Sequence, residues 1–188
     1  MPTATAKVSF RQMIDGTTED YELLQTEVPE PDTIMDMALG LLRAMDAESP
    51  YQVTRYEHSL QTATRAMRDG ADEELIVCAL LHDIGDMVAP ANHSAIAADV
   101  LRPYVSDTNY QVVLHHGLFQ MYYYAHHYGM DRNARDAYRD QPWYDACVRF
   151  CEDWDQTAFD PDYDTEPLET FLPMVRSVFH REPFAHVG

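Results

Sequence analysis

The apolar run Cys78-Ala79-Leu80-Leu81 leads directly into His82-Asp83, and Ile84-Gly85 follow. An imidazole and a carboxylate therefore sit side by side where a buried helix ends, so both can point into one cavity. A chain that buries two such groups together has to fold around them, because isolated polar groups inside a protein are costly.

The rest of the chain reads as helices joined by short connections. Strand-like alternation is almost absent, and prolines and charged clusters punctuate the helical segments. A first helix is expected from about Asp32, as N-cap, to Met45, with Ile34, Met37, Ala38, Leu41 and Leu42 on its apolar face. After the connecting loop Ser49 to Arg55, a second runs from about Tyr56 to Arg68. It ends at a turn where Gly70 takes the left-handed conformation. A third covers Glu73 to His82 and buries Leu75, Ile76, Ala79 and Leu80. A short fourth follows His93, and a fifth begins near Ser106 and carries Val112, Val113, His116 and Gln120. The polar patch Asp131 to Arg139 separates it from a sixth helix, Trp143 to Trp154, and a last one spans Leu168 to Phe179. Such a pattern predicts an all-α, single-domain helical bundle. The expected organisation is one domain over residues 1–188, with a core at 51–160. Residues 1–50 form a helical extension and 161–188 a segment that packs the end.

Composition narrows the function classes. The chain has 188 residues, enough for one well-packed domain, and a formal net charge of −19. That charge argues against nucleic acid or an anionic membrane as partner, since both attract basic surfaces. A small-molecule substrate is the expected partner, and the oligomeric state is left open. Cys78, Cys147 and Cys151 offer no disulfide framework, and Cys147 and Cys151, one helical turn apart, read as core positions. The N-terminal stretch lacks the apolar run of a signal peptide, and the expected location is the cytoplasm.

Nine histidines are present, and their placement matters more than their number. His58, His93, His116 and Asp155 each fall on a separate predicted helix or helix start, and with His82 and Asp83 they make a set of metal-ligand type. Imidazole and carboxylate together suit iron, manganese, zinc or nickel better than calcium or copper. His115 neighbours His116, and only one of the two can face the metals. Asp153 replaces Asp155 if the register is shifted. His126 and His127 read as solvated or outlying groups.

The order of these residues resembles the HD-domain superfamily, whose pattern is His, then His-Asp, then a distant Asp. Within Tyr56-Glu57-His58-Ser59, Leu81-His82-Asp83-Ile84, Asn92-His93-Ser94, His115-His116-Gly117 and Asp153-Trp154-Asp155, the chain is similar to the six-ligand, two-metal branch. The flanking residues look like the mixed-valent diiron oxygenases, which include myo-inositol oxygenase and the enzymes that cleave carbon–phosphorus bonds in 1-hydroxyphosphonates. The likeness covers about Tyr51 to Asp160 and is greatest to the branch that acts on trimethylamino hydroxyphosphonates. It implies two iron ions, Fe(II)/Fe(III), with O2 as co-substrate. One iron would take His58, His82, Asp83 and Asp155. The other would take His93 and His116, with Asp83 bridging, which puts Asp83 and His116 at the reacting centre. The alternative is the commoner HD activity, a metal-dependent phosphohydrolase acting on a small phosphate ester or nucleotide.

Three positions depart from the relatives. Asp86 stands where they carry lysine or histidine, Glu152 where one carries arginine, and Gln120 where one carries lysine. Each change removes positive charge or adds negative charge, which suits a cationic end on the substrate. Tyr122, Tyr123, Tyr124 and Trp154 are the candidate aromatic faces for a quaternary ammonium, with Asp86 or Glu152 adding attraction. Arg55 is the candidate for the phosphonate, and Tyr51 for closing over the substrate. The expected substrate contacts are therefore Tyr51, Arg55, Asp86, Gln120, Tyr123 and Glu152.

Overall fold

The structure, a computed structural model, describes residues 6–27 and 29–185. Its α-helices are α1 (Thr18–Leu24), α2 (Pro31–Ala44), α3 (Arg55–Arg68), α4 (Glu73–Leu81), α5 (His93–Leu101), α6 (Asp107–Tyr124), α7 (Tyr144–Arg149) and α8 (Leu168–Phe179), with no strand among the described residues. The all-α architecture follows the sequence pattern.

Short polar side chains set the helix starts. Thr54 accepts from the Glu57 backbone N–H at 3.1 Å while the Glu57 carboxylate accepts from the Thr54 N–H at 3.0 Å, a capping box that opens α3. Asp72 opens α4 through Leu75 N–H at 2.8 Å, and Ser106 opens α6 through Asn109 N–H at 3.3 Å. Gly70 ends α3's turn at φ +77°, the conformation its lack of a Cβ allows. A further helix, α1, is opened by a Thr17–Asp20 capping box within the stretch expected only as a helical extension.

Helix α2 differs from its expected form in two respects. Its first residue is Pro31, preceded by Glu30, so Asp32 is not the cap. The Asp32 carboxylate instead accepts from Arg176 Nη1 and His180 Nε2, both at 2.9 Å, and ties α2 to α8. The buried face is Met35, Ala38, Leu39 and Leu42, while Met37 is 69% exposed. Both stripes have helical spacing. Docking of α2 on α8, whose inward side chains are Leu168, Phe171, Val175, Val178 and Phe179, selects between them.

At the centre α3 packs on α4, α5 on α6, and α4 on α8. Every residue of α4 from Ile76 to Leu81 is buried, so His82 and Asp83 emerge into the middle of the molecule. The sixth predicted helix is α only through Arg149; Phe150–Asp155 continue as a π-helix, closed by Gln156 N–H to Cys151 O at 3.0 Å. The wider turn lets Phe150, Cys151, Trp154 and Asp155 all face inward, and π-turns of this kind recur at functional sites. The three cysteines are free and buried, as core residues. No helix among the described residues is long and apolar enough to cross a membrane.

The chain after Asp155 is held against one face of α3. His58, Gln61 and Thr64 recur every three residues there, and each bonds this strap. His58 Nδ1 meets Ala158 O at 3.0 Å, Gln61 exchanges two bonds with the Asp160 backbone, and Thr64 Oγ1 accepts from Glu166 N–H at 3.1 Å. Buried polar groups are thereby satisfied by backbone rather than water. Because α3 carries both the strap and His58, its cap should matter globally. Thr54→Ala is expected to cost about 1 kcal/mol in urea unfolding, with an unchanged m-value.

Candidate metal centre

Four helical segments and one helix start deliver the six predicted ligands to one place. His58 comes from the first turns of α3, and His82 and Asp83 follow α4. His93 begins α5, His116 lies midway along α6, and Asp155 ends the π-helix. His58, His82, Asp83, His116 and Asp155 are buried, whereas the His93 side chain is 24% exposed.

Each of the four imidazoles turns its Nδ1 to a backbone carbonyl. His58 faces Ala158 O, His82 faces Ala79 O at 2.8 Å, His93 faces Pro90 O at 2.9 Å and His116 faces Val113 O at 2.7 Å. A carbonyl only accepts, so Nδ1 carries the hydrogen and Nε2 keeps its lone pair. The Nε2 atoms then meet in pairs, His58 with His82 at 3.2 Å and His93 with His116 at 3.3 Å. Two lone pairs at that distance repel unless a cation or a proton lies between them.

The carboxylates complete two clusters. Asp155 Oδ1 lies 3.2 Å from His58 Nε2 and 3.7 Å from His82 Nε2. Asp83 turns Oδ2 to the same pair, at 3.7 and 3.5 Å, and Oδ1 to the other pair, at 3.2 Å from His116 and 3.5 Å from His93. The ligand atoms of His58, His82 and Asp155, and those of His82, Asp83 and His116, each fall within 4.8 Å of one another. Asp155 Oδ2 is buried with no hydrogen-bond partner, a lone pair that a cation would satisfy. The donor set thus fits divalent metal at two adjoining positions, with Asp83 facing both.

Residues 55–160, more than half of the chain, match the HD domain. The chain belongs to the HD-domain family. No curated protein matches it. HD domains bind divalent metals and are generally metal-dependent enzymes, and in this one the histidine and aspartate groups able to hold a metal lie within the matched segment.

Electrostatics of the HD cluster follow from burial working against the carboxylates. Burial pulls the His116 pKa down, but the Asp83 hydrogen bond and charge outweigh it and carry the value up to about 9. At His82 burial prevails over Asp83 and Asp155, and the value falls to about 4. Burial would raise Asp83, yet the three surrounding imidazoles, His82 first, hold it well below the usual carboxylate range. Burial also lowers His58, but Asp155 and Asp83 outweigh it and raise its pKa, so each lone-pair cluster contains one imidazole that favours a proton when metal is absent.

A cavity of about 470 Å³ opens over the centre and reaches both of its sides. It is lined by His58, Asp83, His93, His116 and Asp155, by Arg55, Gly117 and Gln120, and by Tyr51, Tyr124, Tyr128 and Phe159. Gln120 donates to Asp155 Oδ1 at 3.0 Å. Tyr51 stacks on Phe159 at 5.0 Å, and Phe159 stacks on His58 at 4.3 Å.

Of the expected substrate contacts, Tyr51, Arg55 and Gln120 line this cavity, and Asp86, Tyr123 and Glu152 do not. Asp86 is taken up in an ion pair with Arg55. Glu152 lies exposed on the outer side of the π-turn, and Tyr123 packs against the core from α6. Nor do the expected cage residues assemble. Tyr122 lies under the Arg132 and Arg135 guanidiniums, and Trp154 is buried with its Nε1 donating to Asp69. Tyr124 alone of those four reaches the cavity. Tyr128 and Phe159 also line it, although neither stands out in the sequence. Their one signal there is closeness to Tyr124 and Asp155.

The remaining ligand-type side chains are engaged elsewhere or point to solvent. His115 stacks on Trp143 at 4.3 Å, Asp153 pairs with Arg149, and His126 and His127 are exposed.

Gly85 explains how His93 can approach. A Cβ there would overlap the His93 carbonyl oxygen and lie 2.7 Å from its Cα. Gly85→Ala should displace the start of α5 and weaken metal binding on the His93 side. Metal analysis after dialysis would read this as a lowered stoichiometry.

The raised His116 pKa makes metal binding depend on pH. A raised pKa means the proton is bound at neutral pH, so metal has to displace it. Affinity should rise with pH from 6 to 9, and about one proton should leave as that position fills at pH 7. Calorimetry of manganese(II) binding in buffers of different ionisation enthalpy measures the release; pH-independent affinity over that range would contradict it.

Proposed function

We propose that the protein is an iron-dependent oxygenase that cleaves the carbon–phosphorus bond of a 1-hydroxyphosphonate bearing a trimethylammonium group. The products would be phosphate and a carboxylate, glycine betaine when the substrate is 1-hydroxy-2-(trimethylamino)ethylphosphonate. Both oxygen atoms of O2 end in products, one in each.

The observation that carries this reading is the two-sided Asp83, with its Oδ2 toward His58 and His82 and its Oδ1 toward His93 and His116. Together with the resemblance of the flanking residues to diiron oxygenases, it supports two irons sharing one carboxylate. His58, His82, Asp83 and Asp155 would hold the first, and Asp83, His93 and His116 the second. When bound, the pair supplies activation of O2 and removal of the hydrogen on the hydroxyl-bearing carbon.

The chain's own residues have separable tasks. Both sides reach the cavity, and the His93–His116 side has fewer protein ligands, so it is the side where a hydroxyl and a phosphonate oxygen would dock, between Asp83 and His116. Arg55 is the one arginine or lysine lining the cavity among the described residues and would meet the phosphonate. Tyr51, Tyr124, Tyr128 and Phe159 offer aromatic faces to a quaternary ammonium and keep water from the reacting carbon. Gln120 holds Asp155 by its amide N–H.

The test is aerobic and anaerobic assay of protein loaded with iron(II). With 1-hydroxy-2-(trimethylamino)ethylphosphonate, one phosphate is expected per O2 consumed, and none without air. Tyr124→Ala is expected to raise KM about tenfold or more for that substrate, from the loss of about 1.4 kcal/mol or more of cation–π attraction. Phosphate release that continues without O2 would replace the oxygenase reading by hydrolysis.

A further inference from the structure

Arg55 and Asp86 form an ion pair beside the centre that neither holding a metal nor lining the cavity explains. One nitrogen, Arg55 Nη2, serves two carboxylates, Asp86 Oδ2 and, at 3.2 Å, Asp83 Oδ2. The other Asp86 oxygen, Oδ1, lies 3.5 Å from His93 Nδ1, on the edge of the ring opposite the ligand nitrogen. A continuous path therefore runs from Asp83 through Arg55 and Asp86 to His93.

His93 has the most need of such support. It is the first residue of a nine-residue helix whose preceding Asn92 makes no side-chain cap, and it is far more exposed than the other three imidazoles, which are 0–4% exposed. His58, His82 and His116 are fixed by burial within or directly after helices of the core. His93 has Pro90 O and Asp86 on one edge and Ser94 Oγ at 3.1 Å from Nε2 on the other. Asp83 and Asp86 are also like charges three residues apart, and without Arg55 they would push each other out of place.

We propose that the Arg55–Asp86 pair is a positioning device. It orients His93 through Asp86 Oδ1 and fixes the Asp83 carboxylate by its Oδ2, and through His93 it sets the affinity of the cation position formed by Asp83, His93 and His116. The other position, at His58, His82 and Asp155, is touched only through the Arg55 contact to the shared Asp83, whose Oδ2 faces it, and not through Asp86. This rests on the reading of the centre as holding two cations. The His93 Nδ1–H is donated to Pro90 O, and the Asp86 charge stands behind the same edge at 3.5 Å; loss of an outer partner of a metal-bound imidazole lowers metal affinity about 10–100-fold.

The experiment is titration of metal-free full-length protein with manganese(II), with free ion followed by electron paramagnetic resonance. Wild type should take two ions. Asp86→Asn should weaken one of the two about 10–100-fold and leave the other within about threefold, with its metal-free melting curve unchanged, and Arg55→Gln should weaken that same one by a similar factor. The double variant should be no worse than the worse single one, because both act through one path. Arg55→Lys, which keeps the charge, should restore most of the loss. If Arg55→Gln does not fold, Asp86→Asn with the Lys variant still decides. Two ions bound at wild-type affinity in the variants, equal weakening of both, or additive losses overturn the proposal and leave the two-cation reading standing. A wild-type stoichiometry of one overturns both.

Discussion

An imidazole whose Nδ1–H is committed to a backbone carbonyl has only its Nε2 lone pair to offer, and here four such lone pairs converge on two carboxylates. In an apolar interior that arrangement is strongly unfavourable unless positive charge is present. The lowered pKa of His82 and the raised one of His116 are two responses to the same field. Burial governs at His82, and contact with Asp83 governs at His116. The site is built for cations, and the remainder of the fold is the frame that brings these groups together.

That frame is made by a few local devices. An all-apolar helix ends at the His-Asp pair and fixes its depth. The polar face His58–Gln61–Thr64 of α3 is neutralised by a backbone strap that also sets Phe159 on the His58 ring. A π-turn brings Asp155 inward beside Trp154 and Phe150. Gly85 lets the backbone at His93 come close enough for its ring to reach Asp83. The most firmly held of the candidate ligands lie on the His58–His82–Asp155 side, and His93 is the most exposed of the set. A ligand that docks there meets the part of the centre most able to adjust.

Membership of the HD family accounts for the metal chemistry, while the choice of reaction lies in the cavity above it. Its walls are aromatic, and Arg55 is the lone basic group among them, itself engaged by Asp83 and Asp86. Nucleotide phosphates are usually met by several basic side chains. On the proposed reading, a small substrate that is anionic at one end and cationic at the other meets this lining.

The sequence by itself determined the helices and which residues could be ligands. Both follow from short-range patterns: capping residues three positions before a partner, apolar spacing of three and four, and a histidine or aspartate at a helix end. The spans of α3, α4, α6 and α8, and the meeting of His58, His82, Asp83, His93, His116 and Asp155, were legible on that basis, the last with the aid of family likeness. Tertiary structure alone decided how each helix is turned about its axis. It buried Met35 and Leu39 rather than Met37 on α2, sent Tyr122 to arginines and Tyr123 to the core, and left Tyr124 for the cavity. It also gave Asp86 to Arg55 and exposed Glu152. A helix records its apolar stripe in sequence but not the neighbour against which that stripe docks. The partner of a polar side chain depends on elements dozens of residues away, so neither is written in any local window of the chain.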